Sequence, residues 1–166
     1  MTDIEHLTEA VRSGDLVNVR STLTTFKENG GDINAINRVD QTVLIEAVIK
    51  NNTDVMEILI DEGGADPNSR DDSECTTFSI AVNYTPSPYA DFATLQLLLD
   101  KGVNIDEPSC KFKVTPLFIA ARDGKLNVVK FLVENGANIN EKNQSSEYEW
   151  SGYTPLDIAK KKERTD

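Results

Sequence analysis

Three kinds of side chain in this sequence have the chemistry of catalysis or metal binding, and their spacing argues against each in turn. His6 is the sole imidazole, whereas a zinc centre needs three or four converging ligands. Cys75 and Cys110 stand alone, with no CxxC pair and no wider cysteine framework. Asp71, Asp72 and Glu74 form a carboxylate cluster of the kind that attracts calcium. The cluster lacks the central glycine and closing glutamate of a calcium loop, so it reads as a solvated acidic turn. The glycine pairs Gly30-Gly31 and Gly63-Gly64 follow helical patterns and read as helix ends, not as phosphate cradles. The expectation is a protein with no catalytic residue, no cofactor and no metal.

Charge narrows the partner further. The 166 residues carry 28 acidic against 17 basic side chains, a formal net charge of -11. Such a chain repels nucleic acid and anionic membrane surfaces unless a basic stripe overrides the total. The one basic run is Lys160, Lys161, Lys162 and Arg164. The start of the chain, Met1 to His6, is polar and acidic and has no apolar stretch of a secretory leader. Together with the isolated cysteines, this predicts a reducing setting. A cytoplasmic location is expected, with the nucleus or delivery into a host cytosol as alternatives. Three Asn-x-Ser/Thr matches, at Asn51, Asn83 and Asn143, then read as chance. A chain of this length buries roughly 70 % of its unfolded surface and needs no staple to fold.

The elements come from internal repetition. Thr115-Pro116-Leu117-Phe118-Ile119-Ala120 matches Thr154-Pro155-Leu156-Asp157-Ile158-Ala159, and weaker copies begin at Thr42 and Thr76. A second motif alternates with it: Gly136-Ala137-Asn138-Ile139-Asn140 matches Gly64-Ala65-Asp66-Pro67-Asn68. The threonines are 34, 39 and 39 residues apart (42 to 76, 76 to 115, 115 to 154). A near-constant period in this range marks a stacked array. Within one unit, Thr115 is placed to cap a helix and Pro116 to occupy its first turn. Leu117, Ala120 and Ala121 give that helix an apolar face of small residues, and Gly124 ends it. Val128, Val129, Phe131, Leu132 and Val133 give a second helix a broader apolar face, ended by Gly136. Neither helix can bury its face without a neighbouring unit.

The stretch from Thr115 to Asn140 resembles an ankyrin repeat, and the resemblance covers nearly the whole chain. It implies an all-α solenoid of about four helix-turn-helix units plus a partial fifth, at 4–37, 38–70, 71–108, 111–142 and 149–162. It also implies a protein partner and no enzymatic activity; a monomer is expected in isolation. The first unit lacks Thr-Pro but has Thr2 and Glu5 in capping-box positions. The family's histidine after Thr-Pro-Leu is replaced by Ile45, Ser79, Phe118 and Asp157, which removes a local hydrogen bond that the resemblance implies; Ser79 and Asp157 are partial substitutes. Segments 83–89 and 143–148 interrupt the period and read as loops, the first protruding because it holds two prolines. The two cysteines fall on hairpins of adjacent units, which leaves pairing open but less favoured than separate thiols. The fifth unit stops after one helix, as in a truncated array or a piece cut from a longer protein.

The resemblance places a partner on the hairpin tips and the exposed side of the first helices. There this sequence offers Arg38, Lys50, Tyr84, Phe112, Arg122, Trp150 and Tyr153. Aromatic and arginine side chains dominate binding hot spots. Phe112, Arg122, Trp150 and Tyr153 are expected to form one cluster, with Trp150 exposed on a hairpin; the competing expectation is that Trp150 folds back over the array's end. The acidic total favours a basic or neutral partner, although Arg38, Lys50 and Arg122 make this face mixed in sign.

Overall fold

Threonine hydroxyls start the helices the repeat requires. In a computed structural model describing residues 2–85, 91–145 and 149–163, Thr42, Thr76 and Thr115 each accept a hydrogen bond from the amide three residues on, at 3.2–3.3 Å. They open α3 (Val43–Ile49), α5 (Thr77–Tyr84) and α7 (Pro116–Arg122). The other helices are α1 (Asp3–Ser13), α2 (Leu16–Glu28), α4 (Thr53–Glu57), α6 (Ala93–Asp100), α8 (Leu126–Glu134) and α9 (Pro155–Glu163). Asp15 and Asn52 cap α2 and α4 through their side chains. Gly14 and Gly124 turn the chain between helices of a pair with φ of 71° and 67°, a conformation that L side chains avoid.

Two rows of helices stack side by side. α1, α3, α5, α7 and α9 pack in succession as an inner row. The outer row runs through α2, α4 and α6 to α8, where Phe92 stacks on Phe131 at 4.6 Å between ring centres. The continuous core lies between the rows and holds Leu44, Met56, Phe78, Leu95, Leu117, Leu132 and Ile158, each at most 2 % exposed. Among the described residues there is no strand, only isolated bridges at Arg70–Thr76 and Ser109–Val114 that close two hairpins. Successive turns are tied by repeated bonds. Asp66 N–H donates to Asn34 Oδ1 and Asn138 N–H to Asp106 Oδ1, at 2.8 and 2.9 Å. Asp72 N–H reaches Asp40 O, and Cys110 N–H reaches Glu74 O.

Several local expectations change. Neither half of the expected capping box forms at α1: Glu5 N–H donates to Thr2 O at 3.0 Å and the Thr2 hydroxyl makes no cap bond, while the Glu5 carboxylate is engaged elsewhere, its Oε1 accepting Arg38 N–H at 3.0 Å and its Oε2 the Arg38 guanidinium at 2.9 Å. The missing family histidine leaves no hole. Ile45 and Phe118 fill that position as buried hydrocarbon. Ser79 lies 3.0 Å from the Thr76 hydroxyl, and Asp157 Oδ2 accepts from both Thr154 N–H and Oγ–H at 2.9 and 2.8 Å. Asn83 and Tyr84 are the last residues of α5 and not part of a loop. The remainder of the expected 83–89 loop from residue 86 onward, and residues 146–148 of the other interruption, lie outside the described residues. Finally, α4 passes into a π-helical turn at Ile58–Glu62. From Thr42 to Gly64 is 22 residues but from Thr115 to Gly136 only 21, and the wider turn absorbs the extra one.

A cleft between two hairpins and the inner helices

Cys75 and Cys110 are joined in a disulfide, with Cα atoms 4.0 Å apart. The reading of two separate thiols is therefore wrong, and the inference of a reducing setting loses that premise. The sequence carried the signal: both residues flank a turn at the same phase of adjacent units, so stacking brings them face to face. The bridge fastens the hairpin at 70–76 to the hairpin at 109–114.

Both sulfur-bearing residues line a cleft of about 360 Å³. Its floor comes from α5 and α7, which present Ser79, Ile80, Asn83, Ile119 and Arg122; its walls are Ser73 and Cys75 on one hairpin and Cys110, Lys111, Phe112 and Val114 on the next. The lining is largely apolar and includes two cations and no carboxylate, in a chain of net charge -11. Phe112 is 39 % exposed at the rim. Arg122 is half-buried and forked onto the Asp123 carboxylate at 2.7 and 3.1 Å, which fixes its direction.

The other expected binding residues are spread along the array. Arg38 opens the unit before the cleft, its guanidinium exposed but held by Glu5. Lys50 is exposed at the end of α3, and Tyr84, 53 % exposed, at the end of α5. Phe112 and Arg122 meet in the cleft. Trp150 is half-buried, packed against the core, its ring centre 6.5 Å from that of buried Phe118. That position matches the folded-back alternative and corrects the expectation of an exposed tryptophan. Tyr153, also half-buried, carries the Lys161 ammonium 5.5 Å from its ring centre. Lys161 is drawn there by Glu149 as well, and that hydrogen bond raises its pKa against the opposing effect of desolvation.

A larger hollow of about 460 Å³ lies against α1 and α2 and contains His6, Asp3 and Glu9. It is off the hairpin side, and among the described residues no group of three or more His, Cys, Asp or Glu side chains is placed to hold a metal ion. Among those residues, too, no helix is long and apolar enough to cross a membrane.

A family profile described as ankyrin repeats matches residues 7–108 and 78–166. The chain belongs to the ankyrin-repeat family. Relatives include a mitochondrial disaggregase of Bos taurus, 30 % identical over 95 % of this chain and 21 % of the relative. An ankyrin repeat protein of fowlpox virus (strain NVSL) is 30 % identical over 84 % of this chain and 37 % of the relative. The chain thus spans well under half the length of each. Ankyrin repeats are protein-interaction modules, and the α1–α9 array presents the two surfaces such a module has: a row of inner helices and a ladder of hairpin tips.

Proposed function

We propose that the chain is a non-catalytic adaptor, inhibitor or targeting subunit that holds another protein on its concave, inner-helix side, with the cleft between the 70–76 and 109–114 hairpins at the centre. The cleft carries this reading: it combines an apolar floor, an exposed aromatic rim at Phe112 and an arginine held in place. Hot spots have this composition. Lys50 and Tyr84 extend the surface over the preceding units, and Trp150 and Tyr153 extend it over the last one.

The test begins with a partner captured by the full chain and identified by mass spectrometry, followed by titration of that partner. Phe112→Ala is expected to weaken binding by at least ~2 kcal/mol with the melting temperature nearly unchanged. Wild-type affinity in that variant would remove the cleft from the interface. Trp150→Ala is a different probe, because its ring covers Phe118; it is expected to lower stability as well as binding.

A second reading draws on the bovine mitochondrial disaggregase, of which the aligned region is 21 %: the array is the recognition part of a larger enzyme. Intact-mass measurement of the endogenous protein separates the two. A product ending at Asp166 supports the free-standing module.

A further inference from the structure

We propose that Cys75–Cys110 is a thiol–disulfide exchange site that opens inside the folded array, with Cys75 as the attacked sulfur and Cys110 as the leaving one. Both residues are only partly buried and line the cleft, so a small thiol reaches them without unfolding. The direction of cleavage comes from Ser109. Its hydroxyl is wholly buried and lies 3.4 Å from Cys110 Sγ. A disulfide sulfur carries no hydrogen, so Ser109 must be the donor in this contact. Thr76 N–H and the Thr76 hydroxyl, 2.8 and 3.3 Å away, both donate to the same oxygen, which leaves the serine's proton to the sulfur. A hydrogen bond to a departing thiolate lowers its basicity, and exchange is faster when the leaving thiol is the more acidic one.

The steps balance with a small thiol as reductant. Its thiolate attacks Cys75 Sγ, the Sγ–Sγ bond breaks, and the electron pair departs on Cys110 Sγ toward the Ser109 hydroxyl. Cys110 then takes a proton from water. A second thiolate attacks the reagent's sulfur in the mixed disulfide and frees Cys75, which is protonated in turn. Two small thiols become one disulfide, and the protein gains two electrons and two protons.

The bond state sets the shape of the cleft. The turn beyond the Ser109–Val114 bridge carries Lys111 and Phe112, and two of its non-glycine residues, Cys110 and Lys113, have left-handed φ of 59° and 47°. Such backbone persists only when its surroundings hold it. Without the bridge, the bonds from Cys110 N–H to Glu74 O and from Thr76 N–H to the Ser109 hydroxyl still hold the base of the hairpin, so the loosening is confined to the tip at 111–113 while the helices stay packed. The consequence for binding rests on the cleft being the partner's site; the chemistry does not, and its test uses no partner.

The full oxidised chain is treated with 2-mercaptoethanol in native buffer, with thiol titration, far-UV circular dichroism and amide exchange followed together. Two thiols are expected to appear with helicity intact, while exchange at 111–113 accelerates by about 5-fold or more. Ser109→Ala is expected to react about 10-fold slower, and Ser109→Thr to recover the wild-type rate. If the alanine variant does not fold, peptide mapping of the trapped wild-type adduct replaces it, with the reagent expected on Cys75. Thiols that appear only as fast as the helices unfold, an alanine variant that reacts at the wild-type rate, or an adduct on Cys110 would each overturn the proposal.

Discussion

Two carboxylates that lie almost wholly inside the first two units each depend on one arginine. Glu46 is buried and accepts two bonds from Arg12, at 3.0 and 3.1 Å, joining α3 to α1. That bond raises the Arg12 pKa against the opposing effect of desolvation. Replacing Arg12 by Met leaves the carboxylate without its donor and is expected to cost about 1–3 kcal/mol in denaturant unfolding. Desolvation pushes the Glu5 carboxyl up, but the hydrogen bonds from Arg38 and the Arg38 and Arg12 charges prevail and hold it below its ordinary value near 4.5. A lowered carboxyl pKa gives stability that is present above the ordinary value and is lost as pH falls through the folded one. Melting followed down through pH 4.5 should therefore show a loss in the wild type that is smaller in Arg38→Met; equal pH profiles would refute the linkage. Neither pair was legible from one sequence. The capping-box spacing of Thr2 and Glu5 pointed to a local partner, and the contact 33 residues away won because it brings an opposite charge.

At the scale of elements, one exposed-looking lysine and one glycine are decisive. The Lys125 ammonium donates to Val82 O and Thr85 O at 3.0 and 3.1 Å, and to Asn83 O. It thereby closes the C-terminal end of α5, which has lost its capping glycine. Lys125→Met is expected to lower stability by about 1–2 kcal/mol, with faster amide exchange at the end of α5 ahead of the other helices. In the π-turn, Gly63 N–H bonds to Ile58 O, and a Cβ at Gly63 would lie 2.4 Å from Leu59 O. Gly63→Ala therefore forces the backbone apart, at an expected cost of about 1–3 kcal/mol measured by thermal melting. The helices themselves were readable because Thr, Pro and Gly mark their ends at fixed phase. The π-turn was not, although the additional residue before Gly64 is its visible trace.

In the whole molecule, stability passes from unit to neighbouring unit, because helix packing joins adjacent pairs. Among the described residues the last unit contributes one helix, α9, which seals α7 through Ile158, 1 % exposed, while Trp150 lies over Phe118. Ile158→Ala is expected to cost about 2–4 kcal/mol and to loosen α7 and α9 before α1 and α2 in hydrogen exchange; uniform loosening would mean a single cooperative core. The array was legible because its period repeats, and so was the side on which the hairpins lie. The cleft was only half legible. Phe112 and Arg122 were identifiable by type, while its disulfide wall and the inward turn of Trp150 depend on how units meet in space. The crosslink has a mechanical consequence. When the chain is pulled from its two ends, tension passes from Cys75 directly to Cys110 and bypasses the residues between them, a sequence separation of 35. An oxidised molecule stretched to its limit would then be shorter than a reduced one by about 120 Å, so a thiol added under load should register as a single step in length.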